Sequence, residues 1–150
     1  MKDLFIREAR IIDADKIIGF QKKMAKETED MSLDHEVINQ GVYAVFADPA
    51  KGKYYVAEDN SEVIGSLLIT NEWSDWRNSF VWWFQSVYIE KSYRRRGIFK
   101  MMYNHIKENA INNGIAGLRL YVEVENTTAQ KTYEAMGMNS SHYKMYEWLK

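Results

Sequence analysis

Residues 87–99 read Val-Tyr-Ile-Glu-Lys-Ser-Tyr-Arg-Arg-Arg-Gly-Ile-Phe: an apolar stretch enters a basic loop, and a glycine opens a helical pattern. That order of residue types suits an anion. The first amides of a helix have no partner inside it and carry a partial positive charge, so helix starts hold phosphates well. Gly97 removes the side chain that would block close approach of the anion to the backbone. Charge-assisted hydrogen bonds in such a loop contribute roughly 1.5–3 kcal/mol each, more than the ~0.3–1 kcal/mol of the helix dipole. The plainer alternative is a solvated run of three arginines at a helix start. A second segment, one strand–helix unit downstream, weighs against it. Asn126, Ala129, Tyr133 and Gly137 follow the spacing N-x-x-A-x-x-x-Y-x-x-x-G.

Together the two segments resemble the GNAT superfamily, with its Arg/Gln-x-x-Gly-x-Gly/Ala pyrophosphate loop followed by its Asn…Ala…Tyr…Gly helix. The match covers about Phe80 to Met138, and the upstream order of elements agrees. The resemblance implies an N-acetyltransferase with acetyl-CoA as co-substrate, whose acetyl group passes by direct attack to a primary amine on a small molecule or peptide. It implies that the amides of Val87 and Ile89, on a splayed central strand, bond the thioester and pantetheine. Arg94 and Gly97 match the loop's named positions, and amides from Arg95, Arg96, Gly97, Ile98, Phe99 and Lys100 would wrap the pyrophosphate. Asn126 matches the residue near the pantetheine arm, and Tyr133 the tyrosine beside the coenzyme sulfur that acts as general acid. Two positions depart from the pattern. Phe99 stands where the loop ends in Gly or Ala, so its ring either crowds the pyrophosphate or packs beneath it. Trp83 stands where histone-type members carry a basic glutamate.

The acid–base chemistry explains why such groups matter. A lysine-like amine, pKa ~10.4, is mostly protonated at neutral pH and must lose a proton before it attacks. The departing thiolate resembles that of cysteine, pKa about 8.5, and benefits from a nearby hydroxyl donor, a role Tyr133 fits. For the base, Glu123 ranks first, because Glu123 and Glu125 alternate away from the apolar face of their strand. Glu72 and Asp75 lie in the loop before the central strand. For each of these carboxylates the alternative is a merely solvated charge. Trp73 and Trp76 are candidates to line an acceptor pocket, since tryptophan faces attract cations, whereas Trp82 and Trp83 read as packing. The alternative function is a CoA-binding sensor or regulatory module with little catalysis.

Positioning these groups requires the following elements. A strand over Leu4–Arg7 precedes a helix capped by Asp13, with Ile17, Ile18, Phe20 and Met24 on one face, ending near Lys26. Ser32 caps a second helix carrying Leu33, Val37 and Ile38. Asp48-Pro49 and Lys51-Gly52 mark a turn. Strands Tyr54–Glu58 and Val63–Thr70 join through Asp59-Asn60-Ser61, and Glu72 to Asn78 form a polar loop. Phe80–Ile89 is an apolar central strand, Gly97 opens a helix that stops at Asn113-Gly114, and Leu118–Val124 alternates as a strand. The strand–helix–strand crossover makes these last two strands parallel. Asn126 or Thr127 caps a short helix ending at Gly137, and His142–Leu149 is a final aromatic strand. The order β-α-α-β-β-β-α-β-α-β defines an α/β sandwich, a GNAT-like mixed central sheet with helices on both faces, in one domain spanning residues 1–150.

Composition bounds the rest. The 150 residues include 46% hydrophobic and 27% charged, ordinary for one globular domain. A net charge of −1 gives no overall pull towards nucleic acid or anionic membranes, and no base-stacking aromatics interleave with Arg94–Arg96. With no cysteine and three scattered histidines, disulfides, a thiol nucleophile and a metal site are not expected. His35, His105 and His142 read as structural or exposed. The N-terminus has no long apolar run, so no membrane span or signal peptide is expected and a cytoplasmic location is the default. Tyr143, Tyr146 and Trp148 in the tail are the expected surface of a homodimer.

Overall fold

The computed structural model describes residues 3–150. The chain divides into two compact units, Met1–Arg119 and Leu120–Lys150. The first is built on a sheet whose strands lie in chain order: β1 (Phe5–Glu8), β2 (Lys53–Asp59), β3 (Glu62–Ser74), β4 (Ser79–Ile89) and β5 (Gly117–Arg119). Neighbours are antiparallel except β4 and β5, which run parallel and are joined by the crossover through α3 (Ile98–Asn112).

Alternation along β2 sorts the helices onto two faces. Tyr54 and Val56 join Ala14, Ile17, Ile18 and Val42, from α1 (Ala14–Glu29) and α2 (His35–Ala47), in one apolar cluster. Tyr55, on the opposite side of the strand, meets His105 of α3 edge-on. The helical faces follow the 3.6-residue period: Ile98, Met102, Ile106 and Ala110 of α3 are all buried.

The central strand carries a one-residue bulge. Ser66 pairs with Tyr88 and Leu68 with Gln85, so Leu67 faces two residues, Ser86 and Val87. Ser86 has φ +51°, a left-handed conformation that costs a non-glycine residue roughly 1–3 kcal/mol. The bulge reverses which side chains face which way. Phe84, before it, stacks on Tyr103 of α3, whereas Tyr88, after it, stacks on Phe20 of α1, although both numbers are even.

Several expected boundaries move. α1 runs on to Glu29, ended by Asp30 in the left-handed conformation. Asp13 stands at the N-cap of α1 without accepting a helix amide; its carboxylate instead accepts from Nη1 and Nη2 of Arg7, at 2.7 and 3.0 Å, and from the Arg10 amide at 2.7 Å. α2 is capped by Asp34, which accepts the Val37 amide at 2.9 Å, and Ser32 and Leu33 precede the helix. β3 continues through Glu72, Trp73 and Ser74, because these polar residues pair with Val81, Phe80 and Ser79; only Asp75–Asn78 remain as the turn.

β5 stops at Arg119, where its ladder with Trp83 ends, and does not extend to Val124. In the second unit, α4 (Thr127–Ala135) follows a turn in which the Asn126 amide bonds the Glu123 carbonyl at 3.0 Å. The expected strand over His142–Leu149 is not formed: residues 142–149 pair with nothing as strand, and Tyr146 and Trp148 are 91% and 87% exposed. Apolar alternation becomes a strand only where a neighbour completes the ladder, and neither segment has one over its expected length.

Arg7 bridges Asp13 and Glu58, tying β1, the entry to α1 and β2 together. Burial pushes the Asp13 carboxyl up, but hydrogen bonds from Arg7 and the Arg10 amide, with the Arg7 charge, outweigh it and hold the group below its ordinary 3.8. A depressed carboxyl contributes stability above its unfolded pKa and loses it as pH falls through the folded value. Asp13→Asn is therefore expected to cost roughly 1.5–3 kcal/mol at neutral pH, the worth of hydrogen bonds to a charged group. Urea unfolding midpoints of the two proteins should converge as pH falls below about 4. A gap of constant size into acid would show that the Asp13 charge contributes nothing.

Candidate functional site

The anion-receptive feature is the turn from β4 into α3. Lys91–Tyr93 form a single 3₁₀ turn, closed by the Tyr93 amide on the Glu90 carbonyl at 2.9 Å. Arg94 is extended, Arg95 takes φ +61°, and Gly97 takes φ +78° and ψ 9° at the N-cap of α3. The first helical bond is that of the Met101 amide to the Gly97 carbonyl, 3.1 Å. The amides of Ile98, Phe99 and Lys100 therefore precede the ladder, Gly97 offers no side chain to cap the helix, and no acidic residue lies in the first turn. Left-handed residues close together at a helix start turn successive amides to one side, which favours an anion there. Arg95, Arg96 and Lys100 are exposed around it, with the Arg96 guanidinium 5.3 Å from the Tyr93 ring centre.

Phe99 does not stand over this turn alone; its ring meets the buried Phe84 ring edge-on, centres 6.3 Å apart, on the α3 face of the sheet. Ile98 is buried and anchors the helix start.

The bulge also decides which β4 amides face outward. The Ala116 amide reaches the Phe80 carbonyl at 2.8 Å, so before the bulge the even-numbered residues point towards β5. After it the Glu90 amide bonds Ile64 at 2.9 Å, on the β3 side, so the odd-numbered Val87 and Ile89 point away from β3. β5 pairs only with Val81–Trp83. The outward edge at Val87 and Ile89 thus lacks a strand partner among the described residues. Gly65, opposite Ile89, permits the close approach of β3 there; a Cβ would lie 3.0 Å from the Tyr88 carbonyl oxygen.

Arg94, at the surface, bonds its guanidinium back onto the fold. Nη2 donates to the Glu27 carboxylate at 2.8 Å, Nε donates to the Ile89 carbonyl at 2.8 Å, and the group lies 5.2 Å from the Tyr88 ring centre. Neither Glu27 nor Tyr88 was marked by the sequence, because 67 and 61 residues separate Glu27 from Arg94 and Tyr88 and no local pattern links them. Ser86, a small polar residue inside an apolar run, was the one visible sign of the bulge.

In the second unit Asn126 caps α4, its side-chain oxygen accepting the Ala129 amide at 3.1 Å. Tyr133 lies in the middle of that helix, half-buried, and burial pushes its phenol above the ordinary value of 10.0. It is therefore protonated, the donor form, at neutral pH. Glu123 is not on a strand: its carbonyl accepts from the Asn126 amide and from Gln130 at 3.1 Å, and its side chain is exposed. Among the other carboxylates considered, Glu72 pairs with Arg119, and Asp75 holds the hairpin turn by accepting the Trp76 amide at 2.9 Å. Trp73 packs edge-on against its cross-strand partner Phe80, and Trp76, 91% exposed, stands in solvent at the hairpin tip.

This fold is that of a known class of acyltransferase. The model of the acetyltransferase (GNAT) family matches residues 14–138, and the chain belongs to that family. No protein of curated function matches the chain. Among solved structures, a possible acetyltransferase from Clostridium difficile 630 is 46% identical, with 98% of this chain and 97% of that one covered and a TM-score of 0.90. AAC(6')-Iy in complex with the bisubstrate analogue CoA-S-monomethyl-acetylneamine shares the fold at 16% identity, TM-score 0.79 and 99% coverage of both chains. So does the ribosomal-protein-alanine N-acetyltransferase of Brucella melitensis biovar Abortus 2308, at 14% identity, TM-score 0.81 and 99% coverage of both chains. The protein is thus an acetyltransferase of the GNAT family. No helix among the described residues is long and apolar enough to cross a membrane.

Open space surrounds the Gly97 Cα, so a Cβ there meets no protein atom, but its positive φ disfavours any branched side chain. Gly97→Val is expected to lower acetyl-CoA affinity at least about 10-fold while the far-ultraviolet spectrum is retained. Wild-type affinity in a folded Gly97→Val protein, measured by calorimetric titration, would remove the turn from coenzyme binding.

Proposed function

We propose that this chain is a cytoplasmic N-acetyltransferase that transfers the acetyl group of acetyl-CoA to a primary amine of a small molecule or peptide. The observation that carries this reading is the turn from Arg94 to Lys100, where left-handed backbone, a helix start with a side-chain-free glycine at its N-cap and exposed cations coincide. These residues fit a pyrophosphate: the amides of Arg95 to Lys100 would hold it, and the outward amides of Val87 and Ile89 would hold the pantetheine arm and thioester. Acetyl-CoA supplies an acetyl group activated as a thioester.

The amine attacks the thioester carbonyl, the C–S bond breaks, and the amine loses the proton that the thiol finally gains. Tyr133 is assigned as the hydroxyl donor to the leaving thiolate, on its place in the Asn126…Tyr133…Gly137 spacing. Its half-buried phenol is a weaker acid than a thiol near 8.5, so its contribution is a hydrogen bond to the developing charge more than a completed transfer. Asn126 contributes through the cap that fixes the start of α4. Glu123 is the proposed base, acting through water from the solvent side.

Removing only the hydroxyl in Tyr133→Phe is expected to leave acetyl-CoA affinity nearly unchanged and to lower turnover roughly 10- to 100-fold, the worth of one hydrogen bond to a charge. The measurement is CoA release with a working amine, found from a panel, at saturating acetyl-CoA. Equal turnover in both proteins would take Tyr133 out of the mechanism.

A homodimer through the tail is also proposed, because Tyr143, Tyr146 and Trp148 are large aromatic side chains exposed close together in the chain. Sedimentation of the full chain should give the mass of two copies at micromolar concentration, and deletion after Met138 should give one. A monomer in the full chain would reject the dimer.

A further inference from the structure

The side chain of Arg94, a named position of the coenzyme loop, is committed within the fold. Its fork makes three contacts on two elements: Nη2 to Glu27 on the last turn of α1, Nε to the carbonyl of Ile89 at the end of β4, and its plane against Tyr88 of the same strand. Glu27 is a hub in its own right. It accepts the Tyr88 hydroxyl at 3.1 Å and lies 3.6 Å from the Lys91 ammonium, so one carboxylate gathers groups from both ends of the 3₁₀ turn. Hydrogen bonds and the charges of Arg94 and Lys91 hold its carboxyl below the ordinary value, against the opposing effect of burial, so it is ionised at neutral pH.

We infer that Glu27 is a positioning residue for the coenzyme loop: through Arg94 it fixes the entry to Arg95–Gly97 and the orientation of Ile89, and so raises affinity for acetyl-CoA without touching it. This rests on the proposed coenzyme site. Two physical facts favour it over a simple ion pair. An exposed pair contributes little by Coulomb attraction alone, whereas a guanidinium fork bonded at two nitrogens to two elements restricts both. Arg95, at φ +61°, is in a conformation that a non-glycine residue keeps only when its surroundings hold it, and Arg94 is its immediate neighbour. If Glu27 merely occupied a guanidinium that would otherwise bind phosphate, its removal would tighten coenzyme binding. The two readings therefore differ in sign.

The test is calorimetric titration of acetyl-CoA into the full chain, with amide hydrogen exchange of the coenzyme-free protein. Glu27→Ala is expected to weaken binding about 10-fold and to speed exchange at Arg95 to Lys100, while Met102 to Ala110 keep their protection. Glu27→Gln retains one acceptor oxygen and should fall between Ala and wild type. Arg94→Lys keeps the charge and loses the fork, so it should weaken binding much as Glu27→Ala does, and the double variant should be no weaker than the worse single one. In turnover, KM for acetyl-CoA should rise by more than kcat falls. Should Glu27→Ala fail to fold, Glu27→Gln and Arg94→Lys carry the same comparison. Equal or tighter binding by the variants, unchanged loop exchange, or additive losses would each overturn the inference. Wild-type protein that ignores acetyl-CoA overturns the coenzyme reading and this inference together. Wild-type binding lost in Gly97→Val yet kept in Glu27→Ala overturns this inference alone.

Discussion

The extra residue in β4 at Ser86–Val87 governs what the rest of the sheet can do. A regular strand would send Phe84 and Tyr88 to the same face and leave its even-numbered amides facing β5 throughout. With one residue inserted, Phe84 packs on Tyr103 under α3, Tyr88 packs on Phe20 under α1, and the outward amides become those of Val87 and Ile89. The strain of a left-handed serine, roughly 1–3 kcal/mol, is smaller than the stabilisation from two aromatic side chains buried on opposite faces, each roughly 1.5–3 kcal/mol. The bulge is therefore tolerated by the core it divides, and the open backbone edge is a by-product of that packing.

Electrostatics at the neighbouring turn are local in the same sense. The chain carries a net charge of −1, so nothing at long range concentrates an anion at the surface. Of the three consecutive arginines, one is neutralised by Glu27 and one lies over Tyr93. What remains at the turn is a set of helix-start amides with Arg95, Arg96 and Lys100 exposed at its rim. Oriented amides are not screened by mobile counter-ions as exposed ammonium and guanidinium groups are. On the proposed coenzyme reading, affinity in this loop rests on backbone shape more than on charge count.

The readable parts of the sequence were those in which local chemistry decides structure. The helix start at Gly97, the apolar run of β4 and the capped helix after Asn126 all stand where spacing put them. Where the partner decides, the pattern misled. Glu72, Trp73 and Ser74 look like loop but are strand, because the opposite hairpin arm supplies their bonds. Leu120, Val122 and Val124 look like strand but are not, because β5 pairs with only three residues of β4. Ser32 and Asp34 are both good caps, and only the geometry of the α2 start selects Asp34. The Glu27–Arg94 contact spans 67 positions and leaves no trace in any window short enough to read.

The position of Phe99 follows from the same bulge. A ring in place of a small residue at a phosphate loop suggests obstruction, yet its partner is Phe84, a residue that the regular half of β4 presents to the α3 face. Arg94, at the other side of the turn, rests on Tyr88, which the shifted half presents to the α1 face. The loop is thus held from both faces of the sheet by two aromatic residues only four positions apart, on either side of Ser86. Without the bulge Phe84 and Tyr88 would share one face, and the two sides of the loop could not both be anchored to β4. The one inserted residue thus both turns the Val87 and Ile89 amides away from β3 and lets a single strand hold both ends of the turn into α3.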